Sequence, residues 1–355
     1  MQRFLSCWLM VVALYVSTAA HATPDPASGE NAGPHIALLL PLNAPAFAEA
    51  ADAVQRGFLA SAAIQQHGLP VRVYPCTDES TEIAALYQQA LSKGAKAIAG
   101  PLTRNGVSTL IDSTRISVPT LALNAGDGRE SGLLYFFGLS AETEARQTAR
   151  LAIGDGRGSA IIVRSDGPLS KRIAAAFAEE WRSEGGTIAE EITFDNNPSA
   201  LAQIPPTADK LVFLATDASK ARLIRPYLHL SFPVYATSLL FNGNDDVLTN
   251  YDLTDIRFAD MPWLLQSDHP AVMVYPRANP PLAPEMERLY ALGIDAYRLM
   301  HILLYGALQY DLPLDGVTGK IRLHRQQFVR EGLPAVFRQG RAQLPENAPI
   351  VLPNP

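Results

Sequence analysis

The chain predicts an α/β fold of parallel sheets built from crossover units, on three observations. Short apolar runs alternate with amphipathic stretches along most of its length. The first run, His35-Ile36-Ala37-Leu38-Leu39-Leu40-Pro41-Leu42, is too apolar to have a wet side, so it reads as a strand covered on both faces. It passes directly into a helix whose Phe47, Ala51, Val54, Phe58 and Ala62 share one stripe and which Gly68 stops.

Later elements repeat the pattern. Val71 to Tyr74 is a strand before a helix from Thr81 to Lys93, and Ala97-Ile98-Ala99 one before a helix from Thr103 to Thr114. Strands at Pro119 to Leu123 and Leu134 to Phe137 close the first half. The second half runs helix Glu142 to Ala152, strand Ala160 to Val163, helix Leu169 to Glu184 and strand Thr187 to Phe194. It continues with strand Leu211 to Leu214, helix Ser219 to Leu230 and strand Val234-Tyr235. Two Rossmann-like halves result. An extended proline-rich stretch, Pro276 to Pro284, then leads into a long helix from Glu285 to Tyr310 with Met286, Leu289, Gly293, Ala296, Met300 and Leu304 on one face. Gly316-Val317-Thr318-Gly319 turns into a strand at Lys320 to Leu323, and the polar tail from Gln339 reads as frayed.

The start of the chain predicts export. Arg3 supplies a positive charge, Phe4 to Val16 an apolar run and Ala20-His21-Ala22 a small-residue cleavage site, so residues 1–22 read as a cleavable signal peptide. Of the two cysteines, Cys7 leaves with that signal, and Cys76 reads as an inert packed thiol with no cation beside it. Cys7 precedes most of the apolar run, so no lipobox is read, and no later run is long enough for a transmembrane anchor. The expected location is the periplasm. A formal charge of −6 and the absence of any Lys/Arg-rich run argue against nucleic acid.

Several local stretches are more particular. Ile36 to Leu42, Gly100-Pro101-Leu102, Leu121-Ala122-Leu123-Asn124, Asp260-Met261-Pro262-Trp263-Leu264 and Leu289-Tyr290-Ala291-Leu292-Gly293-Ile294-Asp295-Ala296-Tyr297 resemble the LppC/LpoA group of penicillin-binding-protein activators. The resemblance runs from about His35 to Gln339. It implies a type I periplasmic binding protein-like fold, with a first lobe from 34–138 plus 262–325 and a second from 139–261 plus 326–345, joined by a hinge of three chain crossings. It also implies a non-catalytic protein that regulates peptidoglycan synthesis by contact with a peptidoglycan synthase. Long members of the group carry an N-terminal helical-repeat domain and a lipidated cysteine, neither of which is read here. The competing expectation is a receptor that hands a small polar, amino acid-like solute to a membrane transporter, since one scaffold hosts both tasks.

Open parallel sheets hold ligands beyond the carboxyl ends of their strands. That rule selects Thr103, Asn124, Arg164, Ser165, Asp166, Asp217, Thr237 and Ser238 as cleft residues. Thr103 with the following N–H groups suits a carboxylate, Arg164 neutralises it, and Asp166 or Asp217 takes an ammonium. The alternative makes Thr103 and Asp217 plain helix caps and Arg164 with Asp166 a surface pair. No Gly-x-Ser-x-Gly, His-Glu-x-x-His or phosphate-binding glycine loop is present, and the histidines lack ligand spacing, so neither an enzyme nor a cofactor or metal is expected. His301 reads as a packed core histidine. Trp263 reads either as an anchor for a protein partner or as hinge packing.

Overall fold

A computed structural model describes residues 33–65, 67–126, 132–207, 209–308 and 311–345. The expected signal peptide, with its cleavage site and Cys7, lies outside them. In chain order the first half consists of β1 (His35–Leu40), α1 (Ala48–Ile64), β2 (Val71–Pro75), α2 (Glu79–Ser92), β3 (Ala95–Ala99), α3 (Arg104–Ser113), β4 (Thr120–Ala122) and β5 (Leu134–Phe136). The second half comprises α4 (Ala141–Gly154), β6 (Ser159–Arg164), α5 (Pro168–Ser183), β7 (Thr187–Thr193), β8 (Lys210–Ala215), α6 (Ala218–Ile224), β9 (Val234–Ala236) and β10 (Ile256–Asp260). Then follow α7 (Pro262–Leu265), α8 (Pro270–Met273), α9 (Pro284–Tyr305), β11 (Leu314–Asp315), β12 (Lys320–His324), β13 (Gln327–Glu331), β14 (Leu333–Arg338) and β15 (Arg341–Gln343).

Two sheets result, ordered β11-β12-β13-β5-β4-β3-β1-β2 and β15-β14-β10-β9-β8-β6-β7. Each is parallel through its middle. Their edges are not, because β11, β12 and β13 pair antiparallel with one another and β14 pairs antiparallel with both β10 and β15. β1 has both faces covered, as its composition requires. Ile36, Leu38 and Leu40 pack with Val54 and Phe58 of α1 and Leu292 of α9, while Ala37 and Leu39 pack with Ile83 and Tyr87 of α2 and Leu110 of α3. In the second sheet Ile161 and Val163 face one apolar layer, and Ala160 and Ile162 face Phe177 and Trp181 of α5 across the other.

α1 and α9 approach unusually closely. A Cβ on Gly57 would lie 1.9 Å from the Tyr290 carbonyl oxygen, and one on Gly293 would lie 2.2 Å from that of Val54, so only glycine fits at either point.

The chain crosses between the sheets after β5, after β10 and after β13. The last crossing lies later than expected. Arg325, at φ 55°, turns β12 back into β13, which joins the first sheet beside β5 through Gln327 opposite Phe136. Residues 327–331 therefore belong to the first lobe, not the second. Other boundaries shift for local reasons. α9 stops at Tyr305 because Gly306 takes the left-handed conformation at its end, and the helix from 218 tightens into a 3-10 turn at Arg225–Tyr227, where Pro226 removes an N–H. The tail from Gln339 is not frayed throughout, since Arg341–Gln343 adds β15 to the second sheet.

Candidate functional site

The loops at the carboxyl ends of the strands are built from groups that satisfy one another. Thr103 caps α3 by accepting from the Gly106 N–H at 3.1 Å, and its hydroxyl donates to Glu79 at 2.6 Å. Glu79, buried at the start of α2, also accepts from the backbone N–H groups of Leu102 and Thr103 at 2.8 and 2.7 Å. Burial raises its carboxyl above the ordinary value against the pull of those bonds. Asn124 donates to the Leu102 carbonyl at 2.8 Å and accepts from the Ala125 N–H.

On the second lobe Arg164 donates to Glu191 at 2.6 Å, and Asp166 pairs with Lys171 at 2.7 Å. The Lys171 hydrogen bond and charge hold the Asp166 carboxyl below its usual range. The Ser165 and Thr216 hydroxyls bond each other at 2.7 Å below the surface. Asp217 caps α6 by accepting from the Lys220 N–H at 3.0 Å and also takes the Lys220 ammonium at 2.8 Å. Partial burial acts to raise Asp217, but those bonds keep it low. Ser238 donates to Glu144 at 2.5 Å. Only the Thr237 hydroxyl, among these eight, is buried with no hydrogen-bond partner among the described residues.

The eight do not converge. Thr103 and Asn124 line a cavity of about 450 Å³ with Phe47, Leu102 and Leu289, whereas Ser165 and Asp217 line a separate one of about 490 Å³ with Leu169, Leu239 and Glu285. Arg164, Asp166, Thr237 and Ser238 line neither. Thr103 and Asp217 are helix caps, while Arg164 bonds Glu191 and stands 3.9 Å from Asp166, the partner the plainer sequence reading gave it. No group of three or more metal-ligating side chains occurs among the described residues, nor any helix long and apolar enough to cross a membrane.

Trp263 is a correction to the partner-anchor expectation. Its side chain is fully buried, its indole N–H donates to Glu287 at 2.5 Å, and the Arg277 guanidinium lies 3.9 Å above its ring. It packs the hinge and offers no surface. His301 also differs from expectation: it is half-buried on α9, 3.2 Å from Gln65 and with its ring tilted against that of Tyr305, not in the core. Cys76 is the inert thiol expected, fully buried with its pKa pushed up to about 12 by burial.

The hinge holds the charged chemistry that sequence reasoning missed. Arg330 of β13 pairs with Glu144 of α4 in the interior, joining first lobe to second. Arg288 of α9 reaches across to Asp260 at 2.6 Å and to the carbonyls of Ser238 and Phe241 at 3.2 and 2.8 Å. Burial raises the Asp260 carboxyl, with Arg288 opposing. Gln147 grips the third crossing by donating to the Gly332 carbonyl at 2.8 Å and accepting from its N–H at 3.0 Å. Glu142 bridges the lobes nearer solvent, with Arg172 at 2.8 Å and Arg104 at 3.2 Å. Burial acts to raise its carboxyl, but hydrogen bonds from Arg172, its own N–H and Ser140, with the Arg104 charge, bring it down to about 2. Asp295 accepts from both Thr318 donors at 2.8 and 2.7 Å and from the Val317 N–H, fixing the Gly316–Gly319 turn. Two of the particular sequence stretches thus owe their acids, Asp260 and Asp295, to this framework.

Comparison with known proteins agrees with the geometry. The family described as "LppC putative lipoprotein" matches residues 31–206 and 206–339. Among curated relatives, the penicillin-binding protein activator LpoA of Edwardsiella piscicida is 27% identical over 312 residues, covering 74% of this chain and 44% of the relative. That of Haemophilus ducreyi is 29% identical over 302 residues, covering 81% and 50%. The chain spans about half the length of the curated relatives it matches. Among solved structures, a Chromobacterium violaceum protein provisionally assigned to a branched-chain amino acid ABC transporter is 37% identical, with a TM-score of 0.75 over 86% of this chain and 100% of that one. Full-length LpoA from Haemophilus influenzae is 21% identical, with a TM-score of 0.74 over 89% of this chain and 59% of that one. The fold is type I periplasmic binding protein-like, with two α/β lobes of mostly parallel sheet. On the match to residues 31–339, the chain belongs to the LppC family.

Proposed function

We propose that this chain is an exported, non-catalytic regulator that stimulates a penicillin-binding protein of peptidoglycan synthesis by surface contact in the periplasm. The family match across residues 31–339 carries the reading. It gains support from loops whose polar groups are committed to caps and ion pairs, which leaves few donors or acceptors for a solute. Glycan polymerisation by purified candidate penicillin-binding proteins should rise when the protein is added. If every candidate synthase is unaffected, the reading fails.

A second reading has its own support, the 37% identity to the Chromobacterium violaceum structure over its whole length. A receptor should gain about 2.7 kcal/mol of stability from an amino acid or peptide present at 100 times its dissociation constant. Replacing Thr103 and Arg164 together should remove that gain. Under the regulator reading, thermal-shift screening of amino acids yields no stabilisation, and the double variant stimulates synthesis like the wild type.

A further inference from the structure

The C-terminal parts of α1 and α9 enclose a cavity of about 270 Å³ in the first lobe, and none of the eight strand-end residues borders it. Two of the side chains that line it are buried hydroxyls with nothing to bond. Ser61 of α1 is 4% exposed and Tyr297 of α9 is 2% exposed, and neither hydroxyl has a hydrogen-bond partner among the described residues. The Tyr297 ring is held edge-on to Phe58, so its hydroxyl cannot swing away to find one. A Cβ on Gly68 would lie 2.3 Å from that hydroxyl oxygen, and glycine leaves the space beside it open. Asp295, in the same Leu-Gly-Ile-Asp-Ala-Tyr stretch, is committed to the Gly316–Gly319 turn, whereas the Tyr297 hydroxyl does nothing for the fold. Buried polar groups are bonded in all but a few cases, so two unpartnered hydroxyls lining one cavity call for an occupant that bonds them there.

The rest of the lining sets the chemistry of that occupant. Arg298 donates, Asp311 accepts, Gln65 and a neutral His301 do one of each, and the two hydroxyls do both. Burial holds the His301 imidazole below its ordinary value, with Asp311 opposing, so the ring is neutral near pH 7. The Arg298 charge is already answered by Asp295 at 3.1 Å. An oxyanion would therefore meet the Asp311 carboxylate with no net cation to offset it, and an ammonium would meet the Arg298 donors. A lining of mixed donors and acceptors suits a neutral polyhydroxylated ligand, because each of its hydroxyls also donates and accepts. Ile64, Ile302 and Leu314 supply apolar wall for its C–H faces. The volume falls just below the roughly 300–1,000 Å³ of small-molecule sites, which limits the occupant to about one ring.

We propose that the cavity between α1 and α9 is a binding site for a neutral sugar ring, bonded by the Ser61 and Tyr297 hydroxyls. A free monosaccharide and the terminal unit of an oligosaccharide share this chemistry, and the mouth admits both, since Gln65 and Asp311 are exposed there. The site stands apart from the cleft and rests on neither the regulator nor the receptor reading.

Saturation-transfer NMR titrations of the full chain test the proposal, with glucose, N-acetylglucosamine and chitotriose as probes and glutamate and inorganic phosphate as charged controls. The wild type should bind at least one of the sugars and neither control. Tyr297→Phe, which keeps the ring against Phe58, and Ser61→Ala should each weaken sugar binding about fivefold, and the two together by at least about tenfold. Without sugar, both variants should melt at or above the wild-type temperature, because no bond within the fold is lost. Binding of the monosaccharides alone identifies a free sugar as the occupant, and equal binding of chitotriose identifies a terminal ring; both support the site. A lower melting temperature of either variant means that the hydroxyls hold the fold, and the proposal falls. It falls also if the wild type binds none of the sugars, or if a charged control binds in their place and is lost in Tyr297→Phe. Sugar binding that Tyr297→Phe leaves unchanged overturns it as well, and loss of that binding in the Thr103 and Arg164 double variant would put the sugar in the cleft instead.

Discussion

The hinge and the strand-end loops are both polar, yet they use polarity in opposite ways. In the hinge, two acids are buried and answered from the other lobe, Glu144 by Arg330 and Asp260 by Arg288. In the loops, charges stand near solvent and are answered within a few residues, as Asp217 is by Lys220 and Asp166 by Lys171. Long-range buried pairs specify how two lobes sit, because losing one partner strands a desolvated charge. Short-range exposed pairs only finish a helix end. The comparison places the architecture's electrostatic investment at the crossings and not at the site where a solute would bind.

Four experiments break or sharpen that contrast. The largest effect is expected from Arg330→Ala, which leaves Glu144 buried and uncompensated and should cost about 3–5 kcal/mol in denaturant unfolding; a loss as small as that of a cap variant would erase the distinction. Phe58→Ala provides a purely apolar yardstick. Phe58 is fully buried between α1 and α9, edge-on to Tyr297, and its truncation should cost roughly 3–5 kcal/mol. An unchanged midpoint would mean that the α1 stripe faces solvent. Asp217→Ala, on the loop side, should cost only about 1 kcal/mol by removing the α6 cap. The smallest effect should be that of Glu142→Gln, because Arg104 and Arg172 are about half exposed. Its sign is set by pH. Glu142 ionises near 2 in the folded chain against an ordinary 4.5, so its contribution is complete above 4.5 and fades as pH falls toward 2. Wild type and variant should differ at neutral pH and converge in acid, as followed by melting across that range.

The parallel core of both sheets was legible because a strand buried on two faces must be continuously apolar, as β1, β6 and β8 are. The antiparallel edges were legible only at β12, read as a strand from Lys320 to Leu323. β13 reads Gln-Phe-Val-Arg-Glu, an alternation half exposed on one side that resembles surface loop in a single sequence. β10 was missed because Arg257 and Asp260 interrupt its apolar run, although Arg257 finds Asp155 and Asp260 finds Arg288. The strand-end loops were found by topology, and two of their eight residues, Thr103 and Asp217, are helix caps, as their types favour. The hinge pairs had no signal in sequence at all: Glu144 and Arg330 are 186 positions apart, and an isolated glutamate on a helix looks like any solvated one.

The two glycines that let α1 touch α9 have a consequence for how this sequence can drift. Each faces backbone of the other helix, so no side chain can be admitted at Gly57 or Gly293 by a rotamer change; the helices must part. Parting them opens the layer that holds Phe58, Leu292 and Met300. A mutant at one position gains nothing from a second change at the other, because each clash is separate. Both sites are closed to stepwise substitution, while the strand-end loops are held by caps and short-range ion pairs such as Asp217 with Lys220, whose roles other polar residues can take. Descendants of this chain should therefore diverge in what their cleft presents long before they diverge in how their first lobe is assembled.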